Sequence, residues 1–155
     1  MTTLSSGLLL YRRTSDGDIE VLLGHMGGPL WKSKHEHAWS IPKGLHEEGE
    51  DDHLAVAERE FAEEMGTPAP AGPSLSLGEL KARSKMITIF AREGDFDADG
   101  IVSNTFEMEW PPKSGRTQSF PEIDRAAWVR LDDTTSHLAK NQGPFIDRLR
   151  DALKD

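Results

Sequence analysis

The stretch "REFAEEMG", residues 59–66, holds three carboxylates, Glu60, Glu63 and Glu64, spaced three and four residues apart. A helix advances about 100° per residue, so this spacing gathers all three on one face. Like charges so placed repel by roughly a few tenths of a kcal/mol per pair. An acid-rich helix is ordinarily no more than a solvated face. Two neighbours argue for more. Arg59 stands directly beside the carboxylates, and "IPKGLHEEGE" upstream supplies a glycine loop whose backbone carbonyls add neutral oxygen donors. Hard oxygen donors suit Mg²⁺ or Mn²⁺, which bind through a few carboxylates, waters and substrate phosphates. Arrival of such an ion would relieve the repulsion.

The helix that carries this face is expected from about His53 to Met65, with Asp51 or Asp52 as N-cap and Gly66 as its stop. Leu54, Ala57, Phe61 and Met65 recur at helical spacing and should face the core. Before it, "SGLLLYRR" and "IEVLLGHM" flank the turn signal Asp16–Gly17, which predicts a β-hairpin. Residues 25–38 read as a loop, "WSIP" as a short strand stopped by Pro42, and 43–52 as a Gly- and acid-rich loop. After it, "SLSLGEL", "KMITIFAR", "NTFEMEW" and "AAWVRL" read as strands, and "DDTTSHLAK" and "PFIDRLRDALK" as helices. Strands and helices mix without strict alternation, which predicts an α/β or α+β sandwich.

At 155 residues the chain has the size of one domain able to bury its own core. Eighteen Lys+Arg against 27 Asp+Glu leave a net charge of −9, which repels nucleic-acid polymers and anionic membranes. An anionic substrate would therefore need a bound cation as a bridge. The absence of cysteine excludes disulfides and thiolate metal sites. No run approaches the ~18 apolar residues of a membrane span, and "GLLLY" is too short for a signal segment, so a cytoplasmic protein is expected. Nothing in the sequence sets an oligomeric state.

From Gly44 to Gly66 the chain resembles the signature of the Nudix hydrolases: Gly, five residues, Glu, seven residues, then Arg-Glu-U-x-Glu-Glu-x-Gly-U, with U bulky and apolar. Gly44 and Glu50 match the first half, and Arg59, Glu60, Phe61, Glu63, Glu64 and Gly66 the second. Beyond this box the opening hairpin, "WSIPKG" and "FPEIDRAAWVRL" sit where the superfamily's parts sit. "SNTFEMEWPP" resembles a bacterial branch, and "SIPKG" with the downstream Trp strand resembles the dinucleoside polyphosphate hydrolases. Two departures stand out. Eight residues, not seven, separate Glu50 from Arg59, and Thr67 replaces an apolar residue. Either loop and N-cap absorb the insertion, or Asp51 takes the part of Glu50.

The resemblance implies a single Nudix domain over residues 1–155, an α/β/α sandwich with a mixed sheet. It also implies hydrolysis of a pyrophosphate bond in a nucleoside diphosphate linked to another group, so the partner is a small nucleotide. Mg²⁺, or Mn²⁺ in its place, is expected on Glu60, Glu63, Glu64 and the Gly44 carbonyl. Arg59 is expected to orient these carboxylates, and Lys43 either to touch a phosphate or to be a solvated loop lysine. Glu122, six residues before Trp128, is the first candidate general base, with Glu64 and Glu107 as rivals. Trp31 and Trp39 are candidates to stack a base, although core packing is the commoner role of such residues. The alternative to an enzyme is a catalytically silent Nudix-fold module that binds a nucleotide.

Two other patterns carry less. "DFDADGIVSNTFE" nearly writes a calcium loop, but its twelfth position is Phe106 and a strand precedes it, so a turn is expected. His25, His35, His37, His46 and His53 lack zinc-site spacing and are expected to be solvated.

Overall fold

A computed structural model describes residues 2–154. The chain opens with β1 (Thr3–Arg13) and β2 (Ile19–Met26), the predicted hairpin, followed by β3 (Trp39–Ser40) and β4 (Lys43–Leu45). Helix α1 spans His53–Met65. Then come β5 (Ser74–Ala82), β6 (Lys85–Glu93), β7 (Thr105–Glu109), β8 (Thr117–Pro121) and β9 (Ile123–Arg130). A short α2 (Thr134–His137) and α3 (Gly143–Ala152) close it.

The main sheet runs β3-β2-β1-β6-β5, with β4 also on β1 and β9 also on β2. It is mixed, because β1 and β6 pair in parallel while the other pairs are antiparallel. Both faces are covered, which is why "LLL" at 8–10 reads as a run rather than an alternation. Leu8 and Leu10 pack with Ala57, Phe61 and Met65 of α1, whereas Leu9 lies in the opposite cluster with Phe145, Ile146 and Leu149 of α3. The result is helix, sheet, helix. Full burial of a side chain such as Phe61 is worth about 1.5–3 kcal/mol, so this apolar stripe fixes how α1 is rotated. Among the described residues, no helix is long and apolar enough to cross a membrane.

Helix α1 starts where Asp52 caps it. The Asp52 carboxylate accepts from the Leu54 and Ala55 amides at 3.1 and 3.2 Å. It stops at Gly66, whose φ of 90° suits glycine and whose N–H donates to the Ala62 carbonyl at 2.8 Å. Within it, Leu54 is only half-buried while Val56 is fully covered.

Three expectations change. Residues 43–45 are not loop but strand β4, with Gly44 opposite Ser6 of β1; three residues beside a proline show no period to read. Strand β8, polar along most of its length, forms a separate hairpin with β7, where Phe106 faces Phe120. His25 is not solvated. It sits inside β2, fully buried, hydrogen-bonded through Nδ1 to Asp124 at 2.8 Å and through Nε2 to the Lys34 carbonyl at 2.6 Å.

Candidate active site

Rotation of α1 sets how deep each carboxylate lies. With Phe61 aimed at the sheet, Glu60 and Glu64 fall within about 100° of it and Glu63 about 160° away. Accordingly Glu60 and Glu64 are each 9% exposed, while Glu63 is more open. Glu60 and Glu64 thus lie at the border of the buried face and turn toward β4. There, Gly44 meets Glu60. A Cβ at position 44 would stand 2.0 Å from the Glu60 carboxylate, so any larger residue there would push that carboxylate off its present place against the strand.

Arg59 holds the carboxylates from behind. Its Nε and one terminal nitrogen donate to the two oxygens of Glu50 at 2.9 and 2.7 Å, a two-pronged pairing. The other terminal nitrogen donates to Glu63 at 2.9 Å and Glu60 at 3.1 Å, and the Leu45 carbonyl also accepts from the guanidinium at 3.2 Å. One side chain therefore ties β4, the following loop and α1 together. The pairing holds the Glu50 carboxyl below its usual range and drives the Arg59 pKa further up.

In front of these groups lies a hollow of about 530 Å³, lined by Lys43, Gly44, Leu45, His46, Glu47, Glu60, Glu63, Glu64, Asn104 and Glu122. Burial, then the neighbouring Glu60, pushes the Glu64 carboxyl up to about 8. Burial and then Glu63 raise Glu60 as well, and burial lowers the Lys43 ammonium. These are the signs of an enclosed, over-acidic pocket. Among the described residues no three acidic or histidine side chains form a ready metal cage, since Arg59 draws Glu60 and Glu63 toward itself.

The structure brings Lys43, Gly44, Glu60, Glu63, Glu64 and Glu122 to one hollow, with Arg59 behind it. It leaves Trp39 out. That ring is 3% exposed, packed edge-on against His25 and His35, so the expected contact with substrate gives way to core packing. Glu107 is not a lining residue either. Four lining residues, Leu45, His46, Glu47 and Asn104, escaped the sequence reading, and two of them are held in place by hydrogen bonds. Asn104 donates its N–H to the Glu63 carbonyl at 2.8 Å and accepts from the Glu122 amide at 2.9 Å, which joins the end of α1 to the start of β9. His46 is fixed by Ser6 Oγ at 2.7 Å and the Glu50 carbonyl at 3.1 Å. Neither belongs to a spacing pattern, so only the fold reveals them.

A family model described as NUDIX domain matches residues 1–149. The chain belongs to the Nudix family. Nudix enzymes generally use divalent metal ions. No curated protein matches its sequence. Among solved structures, the NUDIX domain of Shewanella oneidensis NrtR, complexed with ADP ribose, is similar at 16% identity and a TM-score of 0.67, covering 99% of this chain and 90% of that one. A C. elegans Ap4A hydrolase binary complex is similar at 21% identity and a TM-score of 0.61, covering 98% of each. A NUDIX hydrolase from Nitrosomonas europaea follows at 18% and 0.63, covering 98% and 90%. At these identities the likeness is one of fold. The extra residue of the Nudix box is absorbed ahead of α1: Glu50 keeps the pairing with Arg59, and the inserted length ends in the Asp52 cap.

Proposed function

We propose that the chain hydrolyses a pyrophosphate bond in a nucleoside diphosphate linked to another group, a dinucleoside polyphosphate first among them. The observation that carries this is the Arg59 hub, which ties Glu50 of the loop to Glu60 and Glu63 of α1, beside a hollow that Gly44 and Glu64 also line. The residues fit a hard divalent cation. The Glu60, Glu63 and Glu64 carboxylates are hard oxygen donors, and the missing Cβ of Gly44 leaves the strand backbone open to the Glu60 carboxylate. Glu60, Glu63, Glu64 and the Gly44 carbonyl would hold Mg²⁺ or Mn²⁺. When bound, such ions neutralise the pyrophosphate and acidify a coordinated water.

The chain's own groups do the rest. Arg59 keeps the carboxylates from splaying and does not line the hollow, so it acts as a positioning residue. Lys43, a lining residue, meets a phosphate oxygen of the substrate. Glu122 accepts the proton of the attacking water, and its backbone is anchored by Asn104. Glu64 suits this role less, because its carboxyl holds a proton up to about 8 when no cation faces it. The C. elegans neighbour, an Ap4A hydrolase, and the resemblance of "SIPKG" support dinucleoside polyphosphates as first substrate.

The test is a phosphate-release screen over dinucleoside polyphosphates, nucleoside triphosphates, ADP-ribose and sugar nucleotides, with millimolar Mg²⁺ or Mn²⁺. Cation-dependent turnover of at least one member is expected. A panel without turnover under either cation would refute the enzyme and leave a binding module.

A further inference from the structure

Beside the carboxylate hollow lies a second, smaller cavity of about 160 Å³, lined by Gly27, Gly28, Pro29, Leu30, Trp31, Phe106 and Met108. Its walls are apolar side chains and backbone, an unusual composition for the neighbourhood of so many charges. A backbone hydrogen bond links the two linings. The Gly27 N–H donates to the Glu122 carbonyl at 2.9 Å, and Glu122 lines the first cavity. Asn104, also of the first, immediately precedes β7, whose alternation puts Phe106 and Met108 on one face. Two residues of strand span about 7 Å, roughly the length of one ribose.

The cavity has the shape of a slot. Gly28, with φ of 94°, lies under the Phe106 ring, where a Cβ would come within 2.8 Å of its tip. Glycine therefore gives the slot a flat backbone floor. Trp31 closes the far side, half-buried, with the Lys34 ammonium 5.4 Å from the indole centre. Leu30 at the rim is 58% exposed, an apolar side chain held in water beside an apolar opening. Phe120 on β8 backs Phe106 across the hairpin with ring centres 6.0 Å apart. A volume this far below the ~300–1,000 Å³ of a typical ligand pocket takes one ring system, not a whole nucleotide.

Resting on the function proposed above, we infer that this slot is the subsite for one nucleobase of the substrate, and that hairpin β7–β8 with residues 27–31 selects for it. Aromatic and apolar walls stack a base by its π-face and do not discriminate by charge. The ribose then spans from Met108 and Phe106 toward Asn104, delivering the first phosphate to the carboxylates. A purine, with the larger face, fills the slot better than a pyrimidine.

The test is titration of the full chain in millimolar Mg²⁺ with AMP, and with ribose 5-phosphate as the base-free control, followed by Trp emission and calorimetry. AMP holds no anhydride, so the outcome is independent of whether the phosphate-release screen succeeds. Saturable binding of AMP, at least tenfold tighter than ribose 5-phosphate, is expected. Leu30→Ala and Met108→Ala should each weaken AMP by threefold or more and leave ribose 5-phosphate unchanged. The exposed Leu30 can be truncated without cost to the core, so at least one variant keeps its fold. Equal affinity for the two ligands, no binding of AMP, or unchanged AMP affinity in Leu30→Ala with Met108→Ala would overturn the assignment.

Discussion

Glu64→Gln should make the metal-free protein more stable at neutral pH, and the gain should vanish in acid. The Glu64 carboxyl is buried beside Glu60 and pushed up to about 8 from an ordinary 4.5. Below pH 4.5 it is protonated in folded and unfolded chains alike, and its contribution to stability is then at its greatest. Between 4.5 and 8 the unfolded chain gives up a proton that the folded chain keeps, so stability falls as pH rises and is fully lost above the folded value. Each pH unit of that interval costs about 1.4 kcal/mol, which makes about 3 kcal/mol at pH 7. Gln mimics the protonated acid and escapes the cost. For a chain of this size, ~3 kcal/mol corresponds to a Tm higher by about 6–12 °C. The assay is calorimetric melting of both proteins in EDTA at pH 5, 7 and 8. The difference between them isolates Glu64 from the histidines, which titrate in both. Parallel Tm-against-pH curves for variant and wild type would refute the reasoning, because the Glu64 carboxyl would then be no more strained than a surface acid.

Mg²⁺ should raise the wild-type Tm, by up to about 2.7 kcal/mol of stability at a hundredfold excess over Kd, and the gain should shrink in Glu60→Gln; an unchanged melt of the wild type counts against a preformed site. Gly44→Ala puts a Cβ 2.0 Å from the Glu60 carboxylate and should lower kcat by at least a hundredfold while circular dichroism stays native, so a variant turning over at wild-type rates would remove Gly44 from the site. Deleting Asp52 brings Asp51 to the cap position and should leave catalysis within about tenfold, a barrier change near 1.4 kcal/mol. A folded deletion variant of much higher activity would mean that the insertion had impaired the enzyme.

Local signals with a strong physical cause were the legible ones. Helix α1 announced both ends, by Asp52 and Gly66, and its buried side through Ala57, Phe61 and Met65. The spacing of Glu60, Glu63 and Glu64 located the hollow, and the box located Gly44 on its far wall. What stayed hidden depends on distant partners. Strand β4 exists because β1 offers Ser5, Ser6 and Gly7 as partners about forty residues earlier. His25 is buried because Asp124 and Lys34 both satisfy its ring, and neither is near enough in sequence to suggest it. Asn104 and the slot at Gly28 likewise arise only when β7 folds back over residues 27–31.

The parallel pairing of β1 with β6 runs from Thr3–Lys85 to Tyr11–Glu93, so the middle of the sheet joins strands about eighty residues apart. Synthesis proceeds at roughly 5–20 residues per second, and β1 therefore waits about 4–16 s for its partner to be made. Throughout that time β1 can have β2 and β4 beside it but lacks β6 on its other edge, and Leu9 lacks the α3 layer as well. Helix α1 emerges in the same window, carrying three mutually repelling carboxylates, with only β1 to β4 made before it, and a 13-residue helix is marginal alone. On the ribosome the sheet under α1 is thus completed only after α1 itself has been made, and Leu9 waits longer still, for Phe145, Ile146 and Leu149 of α3.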